Sequence, residues 1–472
     1  MMKSHKPKPQ RHKLWAIMLS VCLSCGLLQS CFEDQDDNFV AASTTEINDF
    51  IWRGLNFFYL YKEDIPNLQN NAFADQGERL AYLSEFNSPE ECFAALTSSQ
   101  DYFSYLEDDY FDLENALAGV RLTNGMMYGL VYYPNDASRL FGYVRYVLPN
   151  SSASDAQVTR GMIFNAVDGI ALTDANYADL LNPDAYTLSW ATYDGTTISN
   201  TGQSTTLVKA QLTENPIHLS TVLETNGQKI GYLMYNAFTN EFDQSLNNTF
   251  GEFLAQGVDE LVLDLRYNGG GSVKTATYLA SMITGQFTGQ VFYNEQWNSD
   301  RQEVYASPGL FVDDMDNGTA LNSLNLNRVY ILTSERSASA SELVINGLQP
   351  YIDVVQIGTA TRGKFQASFL LYDAPAPSFS RSLANTGHRY AMLPLVFKTL
   401  NAAGYTDYID GLAPTITLSE AFDNLGLLGT ISEPLLAVAI AEITGLPMPT
   451  PRTRDTQELV IEQDPWQSIM YR

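Results

Sequence analysis

One serine-rich segment and one lysine have the residue types and spacing to supply a nucleophile and a base. The segment spans residues 337–342 (Ser-Ala-Ser-Ala-Ser-Glu), and Lys364 follows its middle serine, Ser339, by 25 positions. Apolar residues at 329–332 precede the segment and a helical pattern follows it, which predicts a strand, a turn and a helix. A hydroxyl at a helix N-terminus lies beside unpaired N–H groups that stabilise developing negative charge. The pattern therefore allows acyl transfer at Ser339.

The same residues also have a purely structural interpretation. Ser339 and Glu342 have the spacing of a capping box, in which the serine caps the helix and the glutamate caps back. Taken alone, this pattern favours a cap over a nucleophile. Lys364 in isolation is typical of a solvated lysine, and it becomes a base only if burial lowers its pKa toward neutrality.

Histidine is scarce in this chain, which limits the partners available to a serine nucleophile. The chain has four histidines, and His5 and His12 lie in its basic N-terminal segment, which leaves His218 and His388. A serine needs a group that removes its proton, and lysine can replace histidine in that role. The pair Ser339 and Lys364 is therefore favoured.

A third segment, residues 261–271 (Leu-Val-Leu-Asp-Leu-Arg-Tyr-Asn-Gly-Gly-Gly), predicts a buried strand that ends in a glycine turn. Glycine lets backbone N–H groups approach a substrate closely. The turn lacks the Gly-Lys-Ser/Thr sequence of a phosphate-binding loop, so we do not expect a nucleotide site.

Together the three segments resemble the carboxyl-terminal processing peptidases, the tail-specific serine peptidases of family S41. These pair a D-L-R-x-N-x-G-G strand-turn with an S-A-S-A-S-E segment and a G-K lysine, as found here at 264–271, 337–342 and 363–364. The resemblance extends over most of the chain, with further similarity at 100–104, 229–233 and 410–414.

The resemblance implies a role for each matching residue. Ser339 is the nucleophile and Lys364 the base. The N–H of Ala340, with that of Gly270 or Gly271, forms the oxyanion hole. Many family members carry a glutamine four residues after the lysine to orient it. Here that position is Ser368, while Gln366 lies two residues after the lysine, so either is a candidate for the orienting role.

Pattern changes along the chain predict a multidomain α/β protein. The regions are a lipoprotein signal peptide (1–30), an acidic tether (31–44), an N-terminal helical domain (45–118), a PDZ-like β-rich domain (119–212), a catalytic domain (216–445) and a loosely packed C-terminal tail (446–472). Strands and helices alternate in the catalytic domain, and the family resemblance implies a crotonase/Clp-like spiral of βα units there.

The β-rich region resembles a PDZ domain, permuted as in bacterial proteases. Such domains add the C-terminus of a peptide as an extra strand and hold its carboxylate with backbone N–H groups. The matching loop is Tyr128, Gly129, Leu130 and Val131. A plain β-rich spacer is the alternative.

The N-terminus resembles that of a bacterial lipoprotein. Five basic residues precede a short apolar run, which is typical of a signal peptide, and the segment ends in Leu-Gln-Ser-Cys at 28–31. We expect lipidation of Cys31, and the acidic residues after it look like the surface tag of Bacteroides-type lipoproteins. A simple secretory signal with an ordinary cysteine, followed by a solvated tether, is the alternative. The predicted location is the outer membrane, facing the periplasm or the cell surface.

Charge argues against a nucleic-acid partner. The whole chain has a net charge of −27, and without residues 1–30, which hold five of its 27 basic residues and no acid, the value is −32. Such a surface repels nucleic acid. No cluster has metal-ligand spacing, so no metal or cofactor is predicted.

The sequence thus predicts a serine endopeptidase that cleaves unfolded or C-terminal segments of exported proteins by a Ser-Lys dyad. Its partners would be unfolded polypeptides or protein C-termini, with the membrane contacted through a lipid anchor. The alternative is a non-catalytic peptide- or ligand-binding lipoprotein that keeps the S41 fold.

Overall fold

A computed structural model describes residues 41–134, 136–448, 458–459 and 470–472. The predicted signal peptide and the lipidation site Cys31 lie outside the described residues. The chain divides into two units, residues 1–42 with 386–388 and residues 43–385 with 389–472. In the first, the Ala42 N–H donates to the Gly387 carbonyl at 2.9 Å. The described helices and strands all lie in the second.

Helices dominate residues 44–117. They are α1 (Thr44–Phe58), α2 (Gln76–Leu83), α3 (Pro89–Ala95) and α4 (Tyr110–Leu117), with strand β1 (Tyr105–Glu107) before α4. The side chains of Ser43, Asp75 and Ser88 cap the first three helices by accepting hydrogen bonds from N–H groups that lack intrahelical partners. Cys92 on α3 is fully buried, as expected for a small apolar side chain.

Antiparallel strands fill residues 120–213. The elements are β2 (Val120–Thr123), β3 (Met126–Tyr133), β4 (Asp136–Val147), α5 (Ser152–Asp155), β5 (Ile163–Val167), β6 (Ile170–Ala171), α6 (Tyr177–Leu181), β7 (Ala185–Tyr193), β8 (Ile198–Val208) and β9 (Ala210–Thr213). The main sheet has the order β3-β4-β5-β7-β8, and β2 pairs separately with β9. Leu130, Phe164 and Leu188 are among the buried residues of its core.

Strands and helices alternate after residue 216. The elements are β10 (Ile217–Thr225), β11 (Gln228–Tyr235), α7 (Asp243–Gln256), β12 (Glu260–Asp264), β13 (Gly271–Ser272), α8 (Val273–Thr284), β14 (Val291–Trp297), α9 (Gln302–Tyr305), β15 (Gly309–Leu310), β16 (Arg328–Thr333), α10 (Ala340–Leu348), β17 (Asp353–Gly358), β18 (Gln366–Ser368), β19 (Leu371–Tyr372), β20 (Ala391–Leu393), β21 (Leu395–Asn401), β22 (Ile416–Thr417), α11 (Pro434–Thr444), β23 (Glu458–Leu459) and β24 (Met470–Tyr471). Within the described part of the chain, no helix is both long and apolar enough to cross a membrane.

A mostly parallel sheet, with β10 antiparallel at one edge, positions the serine segment and the glycine turn. Its order is β10-β11-β12-β16-β17-β22, and β11, β12, β16 and β17 are mutually parallel neighbours. Because parallel strands end at the same edge, the turn after β12 and the turn after β16 meet there. These are the glycine turn and the serine segment.

A second sheet, of order β13-β24-β18-β21-β14-β15, corrects one expectation. Its strand β14 pairs with β21 over Tyr293 to Trp297. The tail after residue 446 is not wholly loose, because β24 lies inside the sheet and the Met470 side chain is fully buried. An apolar side chain and a strand with two partners explain that ordering.

Candidate active site

Ser339 occupies a strained turn between β16 and α10. Its φ of 67° and ψ of −114° lie in a region that non-glycine residues rarely adopt. Its N–H donates to Oε2 of Glu342 at 2.7 Å, while its buried hydroxyl has no hydrogen-bond partner within the described residues. The glutamate half of the predicted capping box is therefore present, and the serine hydroxyl is left for other chemistry.

The two flanking serines contrast with Ser339. The Ser337 hydroxyl donates to the Leu265 carbonyl at 2.7 Å, and the Ser341 hydroxyl donates to the Asn268 carbonyl at 2.9 Å. Both bonds tie the serine segment to the strand-turn after β12. Their hydroxyls therefore hold the segment in place, whereas the Ser339 hydroxyl makes no such bond within the described residues.

Lys364 is buried in the loop between β17 and β18, with 1% of its surface exposed. Burial lowers the pKa of its ammonium to about 7, and the negative charges of Asp101 and Glu342 oppose that shift. The Phe103 ring lies 5.1 Å from its Nζ. A lysine with this pKa has a large neutral fraction near pH 7, as a base requires.

Glu342 connects the turn of the nucleophile with the turn of the base. Its Oε1 accepts from the Thr361 hydroxyl and the Gly363 N–H, both at 2.6 Å. Its Oε2 accepts from the N–H groups of Ser339 and Lys364, at 2.7 and 2.9 Å. Burial raises the pKa of this carboxyl to about 7, against the opposite effect of its hydrogen bonds.

The two glycines predicted for the oxyanion hole differ. The Gly270 N–H donates to Oδ1 of Asn268 at 2.9 Å, so this donor has a partner in the structure, and its role in the oxyanion hole stays a prediction. An amide oxygen two residues earlier in the turn satisfies that donor locally. Gly271 remains a candidate, and the Ala340 N–H, at the first position of α10, has no hydrogen-bond partner among the residues described.

Gly271 has a conformation that only glycine allows here. Its φ is +133°, and a Cβ at this position would lie 2.3 Å from the Phe238 carbonyl oxygen. The turn is thereby pressed against the chain after β11, with the Ser272 N–H donating to the same carbonyl at 2.8 Å. The backbone of the turn is fixed by this close approach.

An ion network holds the end of β12. Arg266 is 1% exposed, and its guanidinium contacts Asp264 at 2.8 Å, Glu433 at 2.6 Å and Glu420 at 3.1 Å. Arg160, before β5, also pairs with Glu420, at 2.6 Å. The network fixes the start of the glycine turn and links it to the antiparallel sheet.

Both candidates for orienting the base follow Lys364 on β18. The amide of Gln366 donates to the Tyr61 hydroxyl at 2.8 Å. Its carbonyl oxygen and the Ser368 hydroxyl are buried and, among the described residues, have no hydrogen-bond partner. Both side chains remain candidates for contact with the lysine.

The predicted carboxylate-binding loop is a strand. Tyr128 to Val131 lie within β3 and pair with Tyr143 and its neighbours on β4. Alternating apolar and aromatic side chains, with one face in the sheet core, favour the extended conformation. On the side away from β4, Leu130 and Val131 pair with β23, so the backbone here has strand partners on both sides.

Sequence reasoning missed the contribution of the N-terminal helical part. Phe103 covers Lys364, Asp101 acts on its charge, and Tyr61 bonds to Gln366. In the sequence, residues 100–104 show only a family similarity, because no local pattern indicates a contact across more than 250 positions. His218, in contrast, packs on the Tyr146 ring at 4.7 Å, and burial lowers its pKa to about 4.

Two family models match the chain, Peptidase family S41 over residues 229–373 and Peptidase S41 N-terminal domain over residues 46–105. The carboxyl-terminal-processing protease of Picosynechococcus is 29% identical over 188 residues, 38% of this chain and 42% of that protein. The chloroplastic C-terminal processing peptidase of Tetradesmus obliquus is 25% identical over 228 residues, 46% of each chain. A solved structure from Bacteroides fragilis, described as an S41 protease, has 27% identity and a TM-score of 0.68 and covers 84% of this chain and 97% of that one.

These matches show that parts of the chain are similar to family S41 and that its mixed α/β multidomain fold is similar to that of the solved structure. The matched ranges include the glycine turn, Ser339 and Lys364 in one case and Asp101 and Phe103 in the other. The chain spans less than half the length of the curated relatives it matches.

Proposed function

We propose that this chain is a serine endopeptidase in which Ser339 is the nucleophile and Lys364 the general base. One observation carries the proposal. The Ser339 hydroxyl, without a protein hydrogen-bond partner in the described part of the chain, lies on a turn that shares Glu342 with a buried lysine whose pKa is about 7. Burying a hydroxyl without a hydrogen-bond partner and burying a lysine both cost free energy. A catalytic role accounts for the presence of both groups here.

The reaction follows from the protonation state of the lysine. Neutral Lys364 removes the proton from Ser339, whose oxygen attacks the carbonyl carbon of a peptide bond. The N–H groups of Ala340 and Gly271 stabilise the resulting oxyanion. The lysine then gives its proton to the leaving amine as the C–N bond breaks, and water hydrolyses the acyl-enzyme. Gln366 or Ser368 orients the lysine.

The proposed substrates are unfolded or C-terminal segments of exported proteins. Two relatives are named for C-terminal processing, which supports this class. β23 pairs with β3 as an added strand, in the region that resembles a PDZ domain, and this supports a backbone there that can bind an extended peptide. The signal-like N-terminus and Cys31 support an exported, outer-membrane lipoprotein.

The test is cleavage of casein by residues 32–472, beside Ser339→Ala and Lys364→Ala variants whose folding is checked by circular dichroism. We expect hydrolysis in the parent chain and its loss in both variants. Unchanged hydrolysis in either variant would remove that residue from the mechanism.

Ser337→Ala is the matched control, because it removes a hydroxyl from the same turn that is already bonded to the Leu265 carbonyl. We expect it to retain hydrolysis. A loss equal to that of Ser339→Ala would mean that the assay reports distortion of the turn.

A further inference from the structure

The segment that carries the candidate base is extended and has two faces. The Thr399 N–H donates to the Phe365 carbonyl at 2.9 Å, which continues the pairing of β18 with β21 by one residue toward Lys364. The Phe365 ring packs on the Tyr408 ring, with 5.4 Å between their centroids. Side chains two positions apart in an extended segment share a face. Lys364 and Gln366 therefore lie together on the face opposite Phe365.

The N-terminal helical part covers the face that Lys364 and Gln366 share. The Phe103 ring lies 5.1 Å from the Lys364 Nζ, and the Tyr61 hydroxyl accepts from the Gln366 amide at 2.8 Å. Gln366 is 4% exposed, and its carbonyl oxygen has no hydrogen-bond partner among the described residues. Because the NH2 and oxygen of an amide point in different directions, a partner on the nitrogen leaves the oxygen facing elsewhere on this covered face.

The chemistry of lysine determines which side of the amide suits it. A protonated lysine has only donors, so the oxygen of Gln366, and not its NH2 group, is compatible with Lys364. A buried oxygen without a partner costs free energy, which a hydrogen bond from the lysine would recover. In the neutral lysine, that bond uses one N–H and leaves the lone pair for the Ser339 proton. An acceptor in this place thus orients the base.

Ser368 is less well placed than Gln366 to be that acceptor. A strand rises about 3.3 Å per residue, so Ser368 lies about 13 Å along the chain from Lys364, whereas Gln366 lies about 7 Å from it. The serine side chain is also the shorter of the two. Both differences favour the glutamine.

Tyr61 is fixed by contacts on both sides of it in the chain. The Leu60 N–H donates to the Leu395 carbonyl of β21 at 2.8 Å. The Lys62 side chain, which is 4% exposed, pairs with Asp300 at 2.5 Å. A backbone hydrogen bond before Tyr61 and the ion pair of a buried lysine after it restrict the tyrosine. Its hydroxyl is therefore an acceptor in a fixed position.

We propose that Tyr61 is a positioning residue of the active site, because its hydroxyl holds the Gln366 amide with the oxygen toward Lys364. The N-terminal helical part then completes the site, since without Tyr61 the amide would be free to turn its NH2 group toward the lysine. The effect on hydrolysis rests on the proposed function, whereas the effect on the protonation of Lys364 does not.

The first test is the rate of hydrolysis of a fluorogenic peptide by conservative variants. Tyr61→Phe removes the acceptor and Gln366→Met removes the amide, with little change of shape in either case. We expect each to lower kcat by roughly 10- to 100-fold with little change in KM, because the base is misplaced and no contact with substrate is lost. The double variant should be no slower than Gln366→Met, since Tyr61 acts through that amide.

Tyr82→Phe is the matched control for the loss of a tyrosine hydroxyl. Tyr82 is a half-buried residue of α2 in the same helical part, and its ring contacts Phe73 and Phe86. We expect this variant to keep the parent kcat. An equal loss of kcat in Tyr82→Phe and Tyr61→Phe would mean that the helical part is distorted in both, and the positioning role would be wrong.

The pKa of Lys364 is a second readout, which needs no hydrolysis. Residues 32–472 contain six lysines, so their 13C-labelled side chains can be titrated by NMR, with Lys364→Ala identifying the signal. We expect Tyr61→Phe and Gln366→Met to lower this pKa, because the ammonium loses an acceptor. Gln366→Glu should raise it, because a carboxylate stabilises the ammonium. The pH midpoint of kcat/KM should move in the same directions.

The two readouts separate the positioning role from the peptidase itself. Changes of the lysine pKa in these directions, without hydrolysis in any chain, would leave the positioning standing and overturn the peptidase. Hydrolysis in the parent chain, with a parent-like kcat and lysine pKa in Tyr61→Phe, would overturn the positioning and leave the peptidase standing. A loss of kcat in Ser368→Ala but not in Gln366→Met would give the orienting role to the serine and would also overturn the proposal.

Discussion

The N–H groups of Ser339 and Lys364 donate to the same oxygen of Glu342, at 2.7 and 2.9 Å. Two turns that lie 25 positions apart in the sequence are thereby fixed to one buried carboxylate. Its second oxygen accepts hydrogen bonds from the Thr361 hydroxyl and the Gly363 N–H, in the turn just before the lysine. The relative position of nucleophile and base thus depends on a residue that itself does no proton transfer in the proposed reaction.

Glu342→Gln should lower kcat by roughly 10- to 100-fold, a typical cost of misplacing reacting groups. An amide presents only one acceptor oxygen, so its NH2 group would face two of the four donors that the carboxylate satisfies. Because the Glu342 charge raises the pKa of Lys364, the remaining activity should also reach its plateau at lower pH. Glu335→Gln, an exposed neighbour in the preceding loop, is the control. A parent-like kcat for Glu342→Gln would contradict the positioning role.

The pH dependence of kcat/KM should rise through about pH 7 and level off above it. The pKa of Lys364 is lowered to about 7, so the lysine is protonated and inactive as a base below that value and neutral above it. The measurement is kcat/KM on a fluorogenic peptide between pH 5 and 9. A profile that still rises steeply at pH 9 would mean that the lysine is solvated in the working enzyme.

Phe103 should act on the same pKa by excluding water. Phe103→Ala opens the space over the Lys364 ammonium, and the pH midpoint should move to higher pH because desolvation is the main cause of the lowered pKa. Loss of the cation–π contact acts in the opposite direction but is worth only about 0.5–1 kcal/mol. Phe103→Leu keeps the cover and should show no shift to higher pH. A shift of the Phe103→Ala midpoint to lower pH would show that the ring acts mainly through its charge contact.

Local sequence signals were sufficient for the elements that hold the site and insufficient for what covers it. The apolar residues before Ser339 and the glycines after β12 each form an unbroken run in the sequence. At both places the structure has a strand followed by a turn. The contact of Phe103 with Lys364 depends on packing between distant elements, which no local pattern encodes. The hydrogen bond from the Gly270 N–H to the Asn268 side chain likewise depends on the exact geometry of the turn, which the sequence pattern does not specify.

The tail shows a different limit. A segment rich in proline and mixed charges predicts loose packing, and residues 470–472 nevertheless form part of a sheet. Strand addition uses backbone groups, which every sequence has, so its occurrence depends on the edges that the rest of the fold leaves open.

Gly271→Ala should lower kcat strongly while the protein remains folded. The new Cβ would lie 2.3 Å from the Phe238 carbonyl oxygen, so the glycine turn must move away from the position that the oxyanion requires. Loss of one oxyanion donor typically costs about 100- to 1,000-fold in kcat. Gly227→Ala is matched in having a positive φ, +82°, but open space around the new Cβ. We expect it to cost stability and leave kcat unchanged, and equal kcat losses in the two variants would contradict the assignment.

The three serines of the 337–342 segment should separate stability from activity. Ser337→Ala and Ser341→Ala each remove a hydrogen bond to a carbonyl of the strand-turn, so each should lower the free energy of unfolding by about 1 kcal/mol, with hydrolysis retained. Ser339→Ala removes a buried hydroxyl that has no hydrogen-bond partner among the described residues, so it should abolish hydrolysis without lowering stability. Urea unfolding of the three variants, beside casein hydrolysis, makes the comparison. If Ser339→Ala destabilised the protein as much as its neighbours do, its hydroxyl would be a helix cap, and the nucleophile would have to be sought elsewhere.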